Sequence, residues 1–178
     1  MRVPSLLLPV MFSLAAPAIA QQRHDTNAPI NFDADHIELQ DRANRAILSG
    51  GVVVKQAEMT LNAARMTVAY TGQVVGGNPQ VSRLDASGGV TVRRPDQTAR
   101  GQYAIYDLNR RVITMLGAVT LTQGANTVNG GRLTINMDTG RAVIDGSSVA
   151  GGGAAAVPGA TQTRGGRVSG TFSVPNRN

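Results

Sequence analysis

The chain has 178 residues, with 17 Lys plus Arg against 11 Asp plus Glu, no Cys, no Trp and only 3% aromatic residues. That length fits one domain, the 42% hydrophobic content is enough for a core, and zero Cys excludes thiol catalysis, thiolate metal sites and disulfides. The formal charge of +6 is carried by Arg, with Lys55 the single lysine, which suits an anionic partner, while the shortage of aromatics argues against base stacking on nucleic acid.

Residues 1–20 read as a secretory signal peptide. Arg2 precedes an apolar stretch from Leu6 to Ile19, broken by Pro9 and Pro17 and closed by Ala18-Ile19-Ala20, an A-x-A cleavage pattern. The stretch is shorter than the roughly 20 apolar residues a membrane span needs. Cleavage after Ala20 is expected, giving an exported soluble protein in the periplasm. The expected organisation is a signal peptide (1–20), one domain (21–150) and a Gly-rich flexible tail (151–178), with one last strand possible from Val168 to Val174.

The domain repeats itself. The run Gly50-Gly51-Val52-Val53-Val54-Lys55-Gln56 followed by Met59 to Val68 returns as Gly117 to Gln123 followed by Asn126 to Ile135. Identical pairs include Gly50/Gly117, Gln56/Gln123, Asn62/Asn129 and Arg65/Arg132. A middle copy starts at Gly88 and a partial fourth at Gly146, so the starting glycines are 38, 29 and 29 residues apart. The longer first interval fits a loop inserted around Gly72 to Gln80. Within each copy apolar residues alternate, as at Val52 and Val54, Met66, Val68 and Tyr70, Val90 and Val92, Val119 and Leu121, and Leu133, Ile135 and Met137. Alternation with β-branched enrichment predicts half-buried strands. Turn signals fall at Gly50-Gly51, Asn78-Pro79, Pro95-Asp96, Asn109, Gly130-Gly131 and Asp138-Thr139-Gly140. No helical stripe competes. The expected fold is all-β, built from many short antiparallel strands.

The inward set is aliphatic, because after the signal peptide only Phe32, Tyr70, Tyr103, Tyr106 and Phe172 are aromatic. Such a face either packs on itself as a core or lines a groove for aliphatic chains.

Catalytic signatures are missing from the sequence. His24 and His36 are the only imidazoles, and neither a nucleophile elbow, an H-E-x-x-H pair nor a phosphate loop occurs. Asp33, Asp35, His36, Glu38 and Asp41 form one acidic cluster, which reads better as a solvated strand edge than as a cation site. No enzyme activity, metal or cofactor is expected. Charge is nearly balanced up to Pro79 and strongly basic afterwards, an asymmetry suited to head-to-tail contact between copies or to an anionic ligand. An exported β-repeat protein that binds or acts on polysaccharide is the alternative, although it would want aromatic platforms or an acid pair.

The order of signal peptide, Ile30-Asn31-Phe32-Asp33-Ala34-Asp35, Gly-Val repeats with Gln56, and Asn62-Ala63-Ala64-Arg65-Met66-Thr67-Val68 resembles the OstA-like domain family of lipopolysaccharide-transport proteins over roughly residues 29–150. The resemblance implies an open β-jellyroll, taco-like, made of stacked antiparallel strands whose apolar trough holds the acyl chains of lipopolysaccharide. It implies a lining of Phe32, Ile37, Leu39, Val52, Val54, Met59, Leu61, Met66, Val68, Val90, Val92, Tyr106, Val119, Leu121, Leu133 and Ile135. It further implies a role in outer-membrane biogenesis, with an LptC-like inner-membrane partner, an LptD-like outer-membrane partner and head-to-tail self-association. Strand addition would then use the edges near Ile30 and Phe32 and near Val143 and Val149.

Overall fold

The computed structural model describes residues 24–72, 77–146 and 168–171. Within them the chain forms ten strands: β1 (Ile30–Asp33), β2 (His36–Gln40), β3 (Arg45–Gln56), β4 (Met59–Thr71), β5 (Gln80–Arg94), β6 (Gln97–Asp107), β7 (Val112–Gln123), β8 (Asn126–Asn136), β9 (Ala142–Asp145) and β10 (Ser169–Thr171), plus one 3-10 turn at Asp41–Ala43. They make a single antiparallel sheet that meanders from β3 to β8. Two short strands finish each end, with β1 and β2 on β3, and β9 and β10 on β8. The sheet is open, because its first and last strands do not meet.

The six middle strands are longer than the sequence suggests, at 11 to 15 residues. Their register shifts near the middle, between Ser49 and Val52, Asn62 and Arg65, Ser87 and Val90, Arg100 and Tyr103, and Leu116 and Val119. These shifts line up across the sheet and crease it. The glycines that open each repeat are therefore the crease and not turns between strands, and the same holds for Gly130-Gly131. The other turn signals, including Pro95-Asp96, Asn109 and Asp138-Thr139-Gly140, do fall between strands.

The crease divides each long strand between two leaves. The first leaf holds the segments Val52–Gln56, Met59–Asn62, Val90–Arg94, Gln97–Arg100, Val119–Gln123 and Asn126–Gly130. The second holds Arg45–Ser49, Arg65–Thr71, Gln80–Ser87, Tyr103–Asp107, Val112–Leu116 and Arg132–Asn136. Apolar residues on both leaves, such as Val54, Leu61, Met66 and Ile113, are 0% exposed. Among the described residues no helix covers them, so each leaf must be covered by the other.

Glycine is required where the bend crowds a neighbouring strand. Gly88 has φ of +84°, and a Cβ there would stand 2.7 Å from the Ala64 Cβ. Gly89 beside it has φ of +77° but open space around it. Gly88→Ala should cost about 1–2 kcal/mol for the left-handed backbone alone, with the clash added. Gly89→Ala should lose only the backbone part. Equal losses for the two variants in urea denaturation would contradict this account of the crease.

Candidate functional site

Cross-strand partners share a face of the sheet, so the register traces the interior rows. One row on the first leaf runs Phe32, Val54, Leu61, Val92, Ala99, Leu121 and Val128. On the second leaf a row runs Ile37, Leu48, Met66, Ala86, Ala104, Met115, Leu133 and Ile144. A parallel row runs Leu39, Ala46, Val68, Leu84, Tyr106, Ile113, Ile135 and Ala142. Each row crosses the whole sheet from one end to the other. The interior is an aliphatic core packed between the leaves, with its long axis perpendicular to the strands.

Of the residues the sequence assigns to the lining, Val52, Val54, Met59, Leu61, Met66, Val68, Val90, Val92, Tyr106, Val119, Leu133 and Ile135 lie in one buried cluster. Phe32 and Leu121 pack on it, partly buried. Ile37 and Leu39 stand outside that cluster, 49% and 56% exposed. Both point to the inward face, opposite Leu48 and Ala46, but β2 is an end strand with nothing beyond it to cover them. Leu48, Leu84, Ile113 and Met115 belong to the interior and were not singled out from sequence. They precede the crease, and a repeat read as starting at its glycine leaves that half unexamined.

At the edges, Ile30 and Phe32 lie in β1, paired with Gln56 and Val54. Val143 lies in β9 opposite Thr134 and is 40% exposed, on the outer face. Val149 lies outside the described residues, as do residues 1–23, which include the expected signal peptide, and most of the 151–178 segment. Within the tail, β10 pairs with β8 through Ser169–Asn129 and Thr171–Thr127. The acidic cluster is dispersed among separate contacts. Asp41 accepts from the Tyr70 hydroxyl at 3.0 Å, and Glu38 accepts from Gln40 at 2.6 Å. No three metal-ligating side chains converge among the described residues.

The open side of this core, opposite the crease, is polar. Alternation brings Gln56, Arg94 and Gln97 inward at the rim of the first leaf, two residues beyond Val54, Val92 and Ala99. His24, Gln56 and Gln97 are the buried polar side chains of the described residues. The segment before β1 lies across this mouth. Gln56 Nε2 donates to the Thr26 carbonyl at 3.0 Å and the Ala28 carbonyl at 3.1 Å. From the rim of the second leaf, Arg111 donates to Asn27 Oδ1 at 3.2 Å, and Thr26 Oγ1 donates to Asp138 at 3.2 Å. Residues 24–28 thus form a strap tied to both rims.

Tyr106 and His24 fix the latch. The Tyr106 hydroxyl reaches across from the second leaf and donates to Gln56 Oε1 at 2.8 Å, and His24 Nε2 lies 3.4 Å from the same oxygen. An amide oxygen can only accept, so Gln56 turns its NH2 toward the strap carbonyls. Burial, with help from the Asp138 carboxylate, pushes the Tyr106 phenol up to about 12, against smaller opposing effects of Arg111 and Gln56. The phenol therefore stays a donor throughout the physiological range.

Burial pushes His24 below its ordinary 6.5. The bond to Gln56 opposes this, Arg94 adds to it, and Asp25 and Glu58 oppose it more weakly. The tied strap therefore prefers a neutral imidazole, while a released strap takes up a proton near the ordinary value. The closed form should be fully favoured above that value and lose stability as pH falls through it. The chain has no Cys, so Asp25→Cys, at an exposed position whose bond stays within the strap, gives a single labelling site that leaves the rim ties intact. A spin label there should gain mobility between pH 7.5 and 5, and His24→Gln should abolish the change.

The fold and this interior define a class: an open β-jellyroll whose two leaves enclose a continuous aliphatic core with a polar margin. The family model described as "LptA/(LptD N-terminal domain) LPS transport protein" matches residues 31–141, and the chain belongs to that family. An uncharacterised protein of Rhizobium meliloti (strain 1021) is 36% identical over 121 residues, covering 66% of this chain and 65% of that relative's length. The fold matches the crystal structure of LptH, described as the LptA homologous periplasmic component of the conserved lipopolysaccharide transport device from Pseudomonas aeruginosa. That match has a TM-score of 0.64 at 18% identity, covering 85% of this chain and 99% of that one.

Proposed function

We propose that this protein is a periplasmic lipopolysaccharide carrier that holds acyl chains between its two leaves and passes the lipid from the inner toward the outer membrane. One observation carries the reading: unbroken apolar rows run from β1 and β2 at one end of the sheet to β8 and β9 at the other. Family membership supports it independently. An acyl chain gains about 0.8 kcal/mol per methylene moved out of water, so a chain of about a dozen methylenes brings roughly 10 kcal/mol before ordering costs. That is enough to offset parting the leaves, and it requires no catalytic group. The protein acts as a conduit and not as an enzyme.

Stacking follows from the same geometry. Strand direction alternates through the sheet, with β1 and β2 antiparallel to β3, and β9 and β10 antiparallel to β8. Setting the front edge of one copy against the back edge of another would therefore continue antiparallel pairing on both leaves. The row ending at Ile144 would continue into Ile37 of the next copy. An LptC-like protein at the inner membrane and an LptD-like protein at the outer membrane would use the same two edges.

The test is native mass spectrometry of the mature chain mixed with purified lipopolysaccharide. Lipid-bound monomers and higher stacks are expected. A chain that stays lipid-free at micromolar concentration, while a known carrier loads beside it, would overturn the proposal.

A further inference from the structure

Three features of the mouth need a joint explanation. First, Gln56 is 2% exposed, and its amide is turned by Tyr106 so that its NH2 faces carbonyl oxygens of the strap. Second, Arg94 stands on the same inward-facing rim next to Gln97, and its Nη1 is buried with no hydrogen-bond partner. A buried guanidinium nitrogen without an acceptor is costly, since the desolvation of a charged group is left uncompensated. Third, the strap offers these donors only neutral carbonyl oxygens, and it reaches Gln56 but not Arg94.

Donors aimed inward at the edge of an aliphatic core fit an amphiphile whose anionic oxygens lie where its acyl chains begin. Arg is the side chain best suited to phosphate, through charge-assisted bonds in a fixed fork. We propose that Gln56, Arg94 and Gln97 form the seat for the phosphate-bearing head group of the lipid, and that the Thr26 and Ala28 carbonyls occupy part of it in the unloaded protein. The assignment rests on the lipid-carrier reading and adds the place, chemistry and internal competitor of the head group. Loading replaces two neutral acceptors by charged ones, gives Arg94 its missing partner and releases the strap. The strap is then a stopper that only a ligand with both acyl chains and anionic oxygens removes well.

The experiment uses the mature full chain with three probes: bisphosphorylated hexa-acyl lipid A, the same lipid without its phosphates, and inorganic phosphate. Affinity is read by fluorescence. Strap position is read by the distance between spin labels at Asp25→Cys and Arg110→Cys, both at exposed positions. The phosphorylated lipid should bind about ten-fold or more tighter than the dephosphorylated one, as expected for a charge-assisted bond at a buried site. It should also lengthen the label distance. Arg94→Gln should erase the ten-fold preference while keeping the weaker, chain-driven binding, and Arg94→Lys should restore much of it.

A preference that survives Arg94→Gln, or labels that stay in place during loading, would overturn the head-group seat and leave the carrier reading intact. Strap release by inorganic phosphate alone would overturn it too, by assigning the site to free phosphate. If the wild-type chain takes up neither lipid, the carrier reading itself fails.

Discussion

Val54→Asp should leave no folded protein to load. Val54 is 0% exposed and sits between Phe32 and Leu61 in the row that crosses the first leaf. With the leaves closed, a carboxylate there has neither water nor a cation beside it. The penalty of burying an unpaired charge is several kcal/mol, a large share of the roughly 5–15 kcal/mol that stabilises a domain. Leu121→Asp provides the contrast. Leu121 lies in the same row, four strands further on, but is only partly buried at the margin of the cluster. Its carboxylate can keep some hydration, so the variant should fold and yet lose lipid uptake by about ten-fold or more, because acyl chains would have to lie against a charge. Circular dichroism separates the two cases before any lipid is added. A folded Val54→Asp chain, or a folded Leu121→Asp chain that loads normally, would refute the assignment of this row to the lining.

Much of this was legible because a period of two survives in the sequence wherever one sheet face is buried. Val52 and Val54, Val90 and Val92, and Leu133 and Ile135 show it directly. The role of Gly50-Gly51, Gly88-Gly89 and Gly117-Ala118 was harder to read. Positive φ can serve a hairpin or a bulge, and local sequence does not separate the two. Only the register shows that these positions line up into one crease. Reading them as the starts of repeats, and Gly50-Gly51 as a turn, cut each long strand in half and hid Leu48, Leu84, Ile113 and Met115 from the lining.

The strap was not legible at all. Its bonds to Gln56 run largely through the Thr26 and Ala28 main-chain carbonyls, which every residue has, and the side-chain ties of Thr26 and Asn27 go to residues 112 and 84 positions away, so no local pattern marks them. Gln56 did stand out as half of the Gln56/Gln123 pair. A repeat cannot show that only the first copy has an N-terminal segment passing over it. The exposure of Ile37 and Leu39 is likewise a matter of position. Their pattern matches that of the core, and only the absence of a strand beyond β2 leaves them in water.

That exposure leads to the second large effect. Ile37 and Leu39 continue interior rows to the front edge, and Ile144 and Ala142 end the same rows at the back edge. In a stack, the two side chains, about half exposed in the single chain, would be covered by the preceding copy, each contributing about 1 kcal/mol, roughly half the value of full burial. Ile37→Arg with Leu39→Arg should therefore abolish stacking, replacing that gain by two cations that must be desolvated against the apolar Ile144 and Ala142 of the back edge. The monomer should fold normally, because both positions already face solvent. Sedimentation over a concentration series should show wild-type chains growing into larger species and the double variant remaining monomeric, with one lipid-binding unit intact. Stacks of undiminished size in the double variant would place the self-association surface elsewhere than on β2. Val143→Arg serves as the control on the back strand. Its side chain points to the outer face, so it should leave the rows continuous and the stacks largely unchanged.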